Sequence, residues 1–97
     1  MEEKIRAHAI ISGRVQGVFF RMETKRAASR FGVFGWVRNL RDGSVEAVFE
    51  GKKSQVDAIL DWCRQGPANA RVSDVDVEIE TYSGDGEFSG FKIDFTR

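Results

Sequence analysis

Hydrophobic and polar positions along the 97 residues switch between a spacing of two and a helical spacing, and they do so twice. Ile5-Arg6-Ala7-His8-Ala9-Ile10-Ile11 alternates in part, so a first strand is expected over Ile5 to Ser12. Phe20, Thr24, Ala27, Ala28 and Phe31 then fall on one helical stripe, in a helix expected over Met22 to Phe31 with Gly32 as its stop. Phe34 to Leu40 reads as a second strand. Asp42-Gly43 is a hairpin signal of the type I′ kind, in which both central residues need positive φ. Ser44 to Glu50 reads as the third strand, with Val45, Ala47 and Phe49 in one phase and Gly51 ending it.

A second helix is expected over Ser54 to Gln65, with Ser54 as N-cap and Asp57 three residues on in an imperfect capping box. Val56, Ile59, Leu60 and Cys63 form its apolar stripe, and Gly66-Pro67 breaks the chain. Val75, Val77 and Ile79 alternate with Asp76, Glu78 and Glu80 in a fourth strand. Tyr82 to Ser89 is a loop rich in glycine and acid. Phe91, Ile93 and Phe95 alternate with Lys92, Asp94 and Thr96 in a short fifth strand. The order β-α-β-β-α-β plus one strand predicts an α+β, ferredoxin-like two-layer sandwich, one domain over residues 1–97. Its antiparallel sheet carries both helices on one face, and the alternation leaves the other face to water.

Composition narrows the class. Hydrophobic content of 41% argues against disorder. A single cysteine excludes an intrachain disulfide and suits a reducing compartment. No apolar run nears the ~18–20 residues that span a membrane. Met1-Glu2-Glu3-Lys4 is charged and does not resemble a signal peptide, so a cytoplasmic, membrane-free protein is expected. The net charge of zero argues against a nucleic-acid coat protein. Yet residues 1–41 hold nine Lys/Arg against three Asp/Glu, and residues 42–97 hold six against twelve. Either the basic half focuses a small anion, or the halves interleave in space and cancel.

The densest chemical signal is Gly13-Arg14-Val15-Gln16-Gly17-Val18-Phe19-Phe20-Arg21, a loop with two glycines between the first strand and the first helix. Such a loop presents unpaired backbone N–H groups, a ready anion site, and an arginine adds a planar fork suited to phosphate. Arg21 stands where the helix dipole disfavours a cation; it serves the anion or snorkels into solvent. Asn39 is a poor strand former near a strand end, and it either orients a water through its amide or is an ordinary residue before a turn.

Other chemistry is sparse. His8 and Cys63 are single and far apart, which argues against a metal site; His8 decorates a strand and Cys63 packs in the core. The acids fall mostly on solvent-facing strand positions, and no acid/base pair is visible. Phe19, Phe20, Trp36, Phe49, Phe91 and Phe95 are expected to pack, and Arg14, Lys25, Arg26 and Arg30 to form a solvated basic flank. An anion cradle without acid, base or metal suits a substrate with a good leaving group. An acyl phosphate is one, since its leaving carboxylate is the base of an acid of pKa ~4.

Gly13-x-Val15-Gln16-Gly17-Val18-x-Phe20-Arg21 resembles the first signature of the acylphosphatase family, and Gly35-Trp36-Val37-Arg38-Asn39 followed by Gly43-x-Val45 and Gly51 resembles the second. The resemblance spans nearly the whole chain. It implies metal-independent, cofactor-free hydrolysis of acyl phosphates to a carboxylate and inorganic phosphate. It implies that Arg21 and the backbone N–H groups of Gln16, Gly17, Val18, Phe19 and Phe20 bind the phosphoryl group, and that Asn39 positions the attacking water. A monomer is expected, with inorganic phosphate as product and competitive ligand. Two rivals share the fold. One is the N-terminal domain of hydrogenase-maturation carbamoyltransferases, disfavoured because no cysteine-rich module follows Arg97. The other is an RNA-binding module, disfavoured because the third strand is acidic and lacks the aromatic RNA-recognition segment.

Overall fold

Seven elements follow in the computed structural model, which describes residues 2–97. They are β1 (Lys4–Arg14), α1 (Phe20–Phe31), β2 (Phe34–Asn39), β3 (Val45–Lys52), α2 (Lys53–Gln65), β4 (Arg71–Thr81) and β5 (Phe91–Ile93). The strands form one sheet in the order β4-β1-β3-β2-β5. Period-two alternation decides its faces. Ile5, Ala7, Ala9 and Ile11 of β1 and Val45, Ala47 and Phe49 of β3 are buried against Phe20, Thr24, Ala27 and Ala28 of α1 and Val56, Ile59, Leu60 and Cys63 of α2. Both helical stripes therefore cover the same face, and the ferredoxin-like two-layer sandwich stands.

Several local expectations are corrected. The sheet is antiparallel at every pair but one: β5 runs parallel to β2, with Gly35 opposite Phe91. The long connection from β4 lets the chain re-enter the sheet in either sense, and no local sequence signal chooses. The β2–β3 hairpin exists, but not as a two-residue type I′ turn. Asp42 keeps a negative φ and only Gly43, at φ 98°, is left-handed. Gly43 N–H donates to Leu40 C=O at 3.1 Å, and the Asp42 carboxylate accepts from Ser44 N–H at 2.9 Å, an Asx-type turn.

Gly51 does not end β3, which runs to Lys52 because its register with β1 continues to Lys4. Lys52, not Ser54, is the N-cap of α2. Gln55 Oε1 accepts from Lys52 N–H at 3.1 Å, and the Ser54 and Lys53 N–H groups go to Glu2 and Glu3 at 2.8 and 2.9 Å. Asp57 pairs instead with Lys53, one turn back. α1 begins at Phe20, two residues early, and ends at Gly32 as expected. β4 begins at Arg71, four residues before Val75, because it follows β1 across a bulge at Ser12/Gly13.

The open face of the sheet departs from expectation as well. His8 and Arg38 both reach Glu46, at 2.7 and 2.6 Å, so opposite charges of the two halves do interleave there. Glu50, expected in solvent, is only 1% exposed. The loop after β4 folds over it: Glu50 takes N–H groups of Glu87 and Phe88 at 3.0–3.2 Å and the Arg6 guanidinium at 2.7 Å. Gly86 suits this contact: its φ of 76° is left-handed, and a Cβ there would force the Glu50 carboxylate to shift. Phe19 and Phe95 are also exposed rather than packed, at 70% and 90%.

Candidate active site

The loop between β1 and α1 is shaped by what its residues bury and by where they allow positive φ. Gly13, at φ 120°, sits in the bulge, where a Cβ would lie 2.1 Å from Arg71 C=O. Val15 and Val18 are buried and pin the loop to the core. Gly17 turns at φ 74°, and Phe19 enters α1 as a left-handed N-cap at φ 62°. Glu23 N–H is the first to find an intrahelical acceptor, Phe19 C=O at 3.0 Å. The N–H groups of residues 20–22 therefore lack intrahelical partners, and no side chain caps them. They carry the positive end of the helix dipole.

These groups open on a cavity of about 390 Å³. Gln16, Gly17, Arg21 and Asn39 supply its polar lining, and Val15, Phe19, Phe20, Met22 and Ile93 its apolar lining. Arg21 has no carboxylate within ion-pair distance among the described residues, so its charge is free for a ligand. Asn39 arrives from the opposite layer. It shares the phase of the buried Gly35 and Val37, so it is directed to the helical side of the sheet. Its Oδ1 is buried and has no hydrogen-bond partner. A buried unpaired acceptor beside a polar cavity is the signature of a group that awaits a ligand or water.

Of the expected site residues, Gln16, Gly17, Phe19, Phe20, Arg21 and Asn39 line one cavity, while Val18 is buried and lines neighbouring recesses instead. One contribution was not anticipated. The Gln16 side chain turns toward the β2–β3 hairpin, where Nε2 donates to Leu40 C=O at 2.7 Å and to Ser44 C=O at 2.8 Å. It ties the anion loop to the hairpin beside Asn39. Met22 and Ile93, which also line the cavity, were not anticipated, and no signal in the sequence marks them.

The remaining reactive groups stand apart. Cys63 is buried in the core, where desolvation pushes its thiol up to about 12. His8 lies on the open face of the sheet with Glu46. Among the described residues no three His, Cys, Asp or Glu side chains converge on a point, and no helix is long and apolar enough to cross a membrane. Cross-strand neighbours Arg14 and Arg71 line a second recess of about 460 Å³, which shares Gly17 and Val18 with the anion loop. Neither these two nor Arg21 has a carboxylate within ion-pair distance among the described residues, so positive charge from both halves stays uncompensated at this end.

Comparison with known proteins bears on the same residues. The family model described as Acylphosphatase matches residues 7–93, which include the loop, Arg21, Asn39 and Ile93. The acylphosphatase of Syntrophus aciditrophicus (strain SB) is 58% identical over 88 residues, 91% of this chain and 90% of that one. The crystal structure of acylphosphatase from Bacillus subtilis superposes with a TM-score of 0.85 at 31% identity, covering 92% of this chain and 97% of that one. Full-length HypF in its phosphate- and nucleotide-bound form superposes at 0.84 with 22% identity over 12% of its length, which shows the fold alone. With the loop, the free arginine and the unpaired asparagine all inside the matched span, the chain belongs to the acylphosphatase family.

Proposed function

We propose that this chain, as one domain over residues 1–97, hydrolyses acyl phosphates to a carboxylate and inorganic phosphate. The phosphoryl group sits on the backbone N–H groups of Gln16, Gly17, Val18, Phe19 and Phe20, and the Arg21 guanidinium neutralises its equatorial oxygens. Asn39 Oδ1 accepts a hydrogen bond from a water and holds it for in-line attack on phosphorus. The P–O bond to the acyl oxygen breaks as the new P–O bond forms, and the leaving carboxylate needs no protonation near neutral pH. The water's proton passes to a phosphoryl oxygen of the substrate, so the protein has only to position and neutralise. No step calls on a metal or organic cofactor.

The single observation that carries this reading is the unpaired Asn39 Oδ1 beside the cavity that also holds Arg21 and the free helix N–H groups. The protein acts as a cytoplasmic monomer, and inorganic phosphate competes with substrate for the cradle. The test is hydrolysis of benzoyl phosphate followed by ultraviolet absorbance, with EDTA present. Arg21→Ala and Asn39→Ala should each lose most of the activity. Wild-type rates in either variant, or loss of activity in EDTA, would overturn the reading.

A further inference from the structure

Three large hydrophobic side chains gather in solvent at one place. Phe19, Met22 and Ile93 are 70%, 46% and 40% exposed, and all three line the mouth of the cavity that holds Arg21 and Asn39. They come from two elements far apart in sequence: the N-cap and first turn of α1, and β5. Phe19 is the sharpest case. Its neighbours Val18 and Phe20 are buried, but the left-handed turn at φ 62° throws its ring outward. Bulky residues rarely adopt this conformation, and such outliers cluster at ligand sites. Exposed apolar groups that converge on one concave site mark a ligand surface.

We propose that Phe19, Met22 and Ile93 form the acyl subsite and that the preferred substrate is an acyl phosphate with an apolar acyl group. This rests on the acyl phosphate reading of the same cavity. With the phosphoryl group on the N–H groups of Gln16 to Phe20, the acyl substituent emerges at the mouth, where these side chains remove it from water. The recess at Arg14 and Arg71 would suit an acyl group carrying a second negative charge, but it lies outside the cavity that holds Arg21 and Asn39.

The test compares acetyl, butanoyl and hexanoyl phosphates, whose leaving carboxylates have nearly equal basicity, and succinyl phosphate, a butanoyl phosphate analogue with a terminal carboxylate. For the wild-type protein kcat/KM should rise by about two- to fourfold per added methylene, the value of a partly to fully buried CH₂. Butanoyl phosphate should outrun succinyl phosphate. In the double variant Met22→Gln/Ile93→Thr the rise should be at least halved while inorganic phosphate still inhibits. Phe19→Asn, which keeps a side chain suited to the left-handed turn, should flatten the series as well. A flat wild-type series, a preference for succinyl phosphate, or a rise unchanged in the variants would overturn the acyl subsite while leaving the hydrolase reading intact. No turnover of any acyl phosphate by the wild-type protein would instead overturn the hydrolase reading. Circular dichroism checks the fold of each variant, and the wild-type series decides without them.

Discussion

Gln16 Nε2 lies 2.7 Å from the carbonyl oxygen of Leu40, so the anion loop is bonded to the residue that follows Asn39. The two halves of the site come from different layers, and this amide spans them. Replacing Gln16 with Met removes two hydrogen bonds, each worth about 0.5–1.5 kcal/mol net. Both carbonyls keep a backbone donor, from Gly43 and Leu40, so the loss should fall at the low end, about 1–2 kcal/mol in urea unfolding. The catalytic effect should exceed the effect on KM, since a water displaced by an ångström costs about 10²-fold. A variant with full kcat would show that the tie does not position Asn39.

Asn39→Ala should separate stability from activity. An unsatisfied buried acceptor costs about 1–3 kcal/mol, and alanine removes it at the expense of a small void. Thermal unfolding should therefore be unchanged or rise slightly, while kcat falls by about 10²- to 10³-fold. Loss of stability comparable to a core substitution would mean that Asn39 is structural.

Acid should weaken the fold through Glu46. Burial alone would raise its carboxyl, but hydrogen bonds from His8 and Arg38 outweigh that and hold it below its ordinary 4.5. A carboxyl depressed in the folded state stabilises above its unfolded pKa, and that contribution is lost as pH falls through the folded value. Stability of the wild type should therefore drop below about pH 4.5, and Glu46→Gln should show a shallower drop. Equal acid limbs in urea titrations at pH 3 to 6 would contradict the assignment.

Cys63 should be silent to thiol reagents. Its thiol, pushed up to about 12 by burial, supplies almost no thiolate at neutral pH. An aromatic disulfide reagent should label it only in denaturant, with activity untouched under native conditions. Rapid labelling of the folded protein would show that the core opens around α2.

Much of this arrangement was legible because it is periodic. The stripe at Val56, Ile59, Leu60 and Cys63 and the alternation at Val45, Ala47 and Phe49 state which side faces the core without reference to any partner. Arg21 was legible for another reason, as a cation placed against a helix dipole. Asn39 had two local readings, and what supports the water-orienting one, its phase with Gly35 and Val37 and its unpaired Oδ1 beside the cavity, appears only in three dimensions. Glu50 was misplaced because alternation cannot know that a loop more than thirty residues later covers it. Phe19 was misplaced because hydrophobicity predicts burial, whereas its backbone turn directs the ring to the site. The partner of the Gln16 side chain and the direction of β5 both depend on contacts between segments far apart in sequence.

The parallel pairing of β5 has one more consequence. β2 would otherwise present a row of free backbone groups at the margin of the sheet, the surface on which chains recruit one another into aggregates. β5 occupies that margin, and the chain beyond it continues the cover, with Arg97 N–H on Asn39 C=O at 3.0 Å and Arg41 N–H on Arg97 C=O at 2.8 Å. Only three residues of the new margin are regular strand, which makes it a poor template. The strand that ends in Asn39 is thereby shielded from intermolecular pairing by residues 91–97.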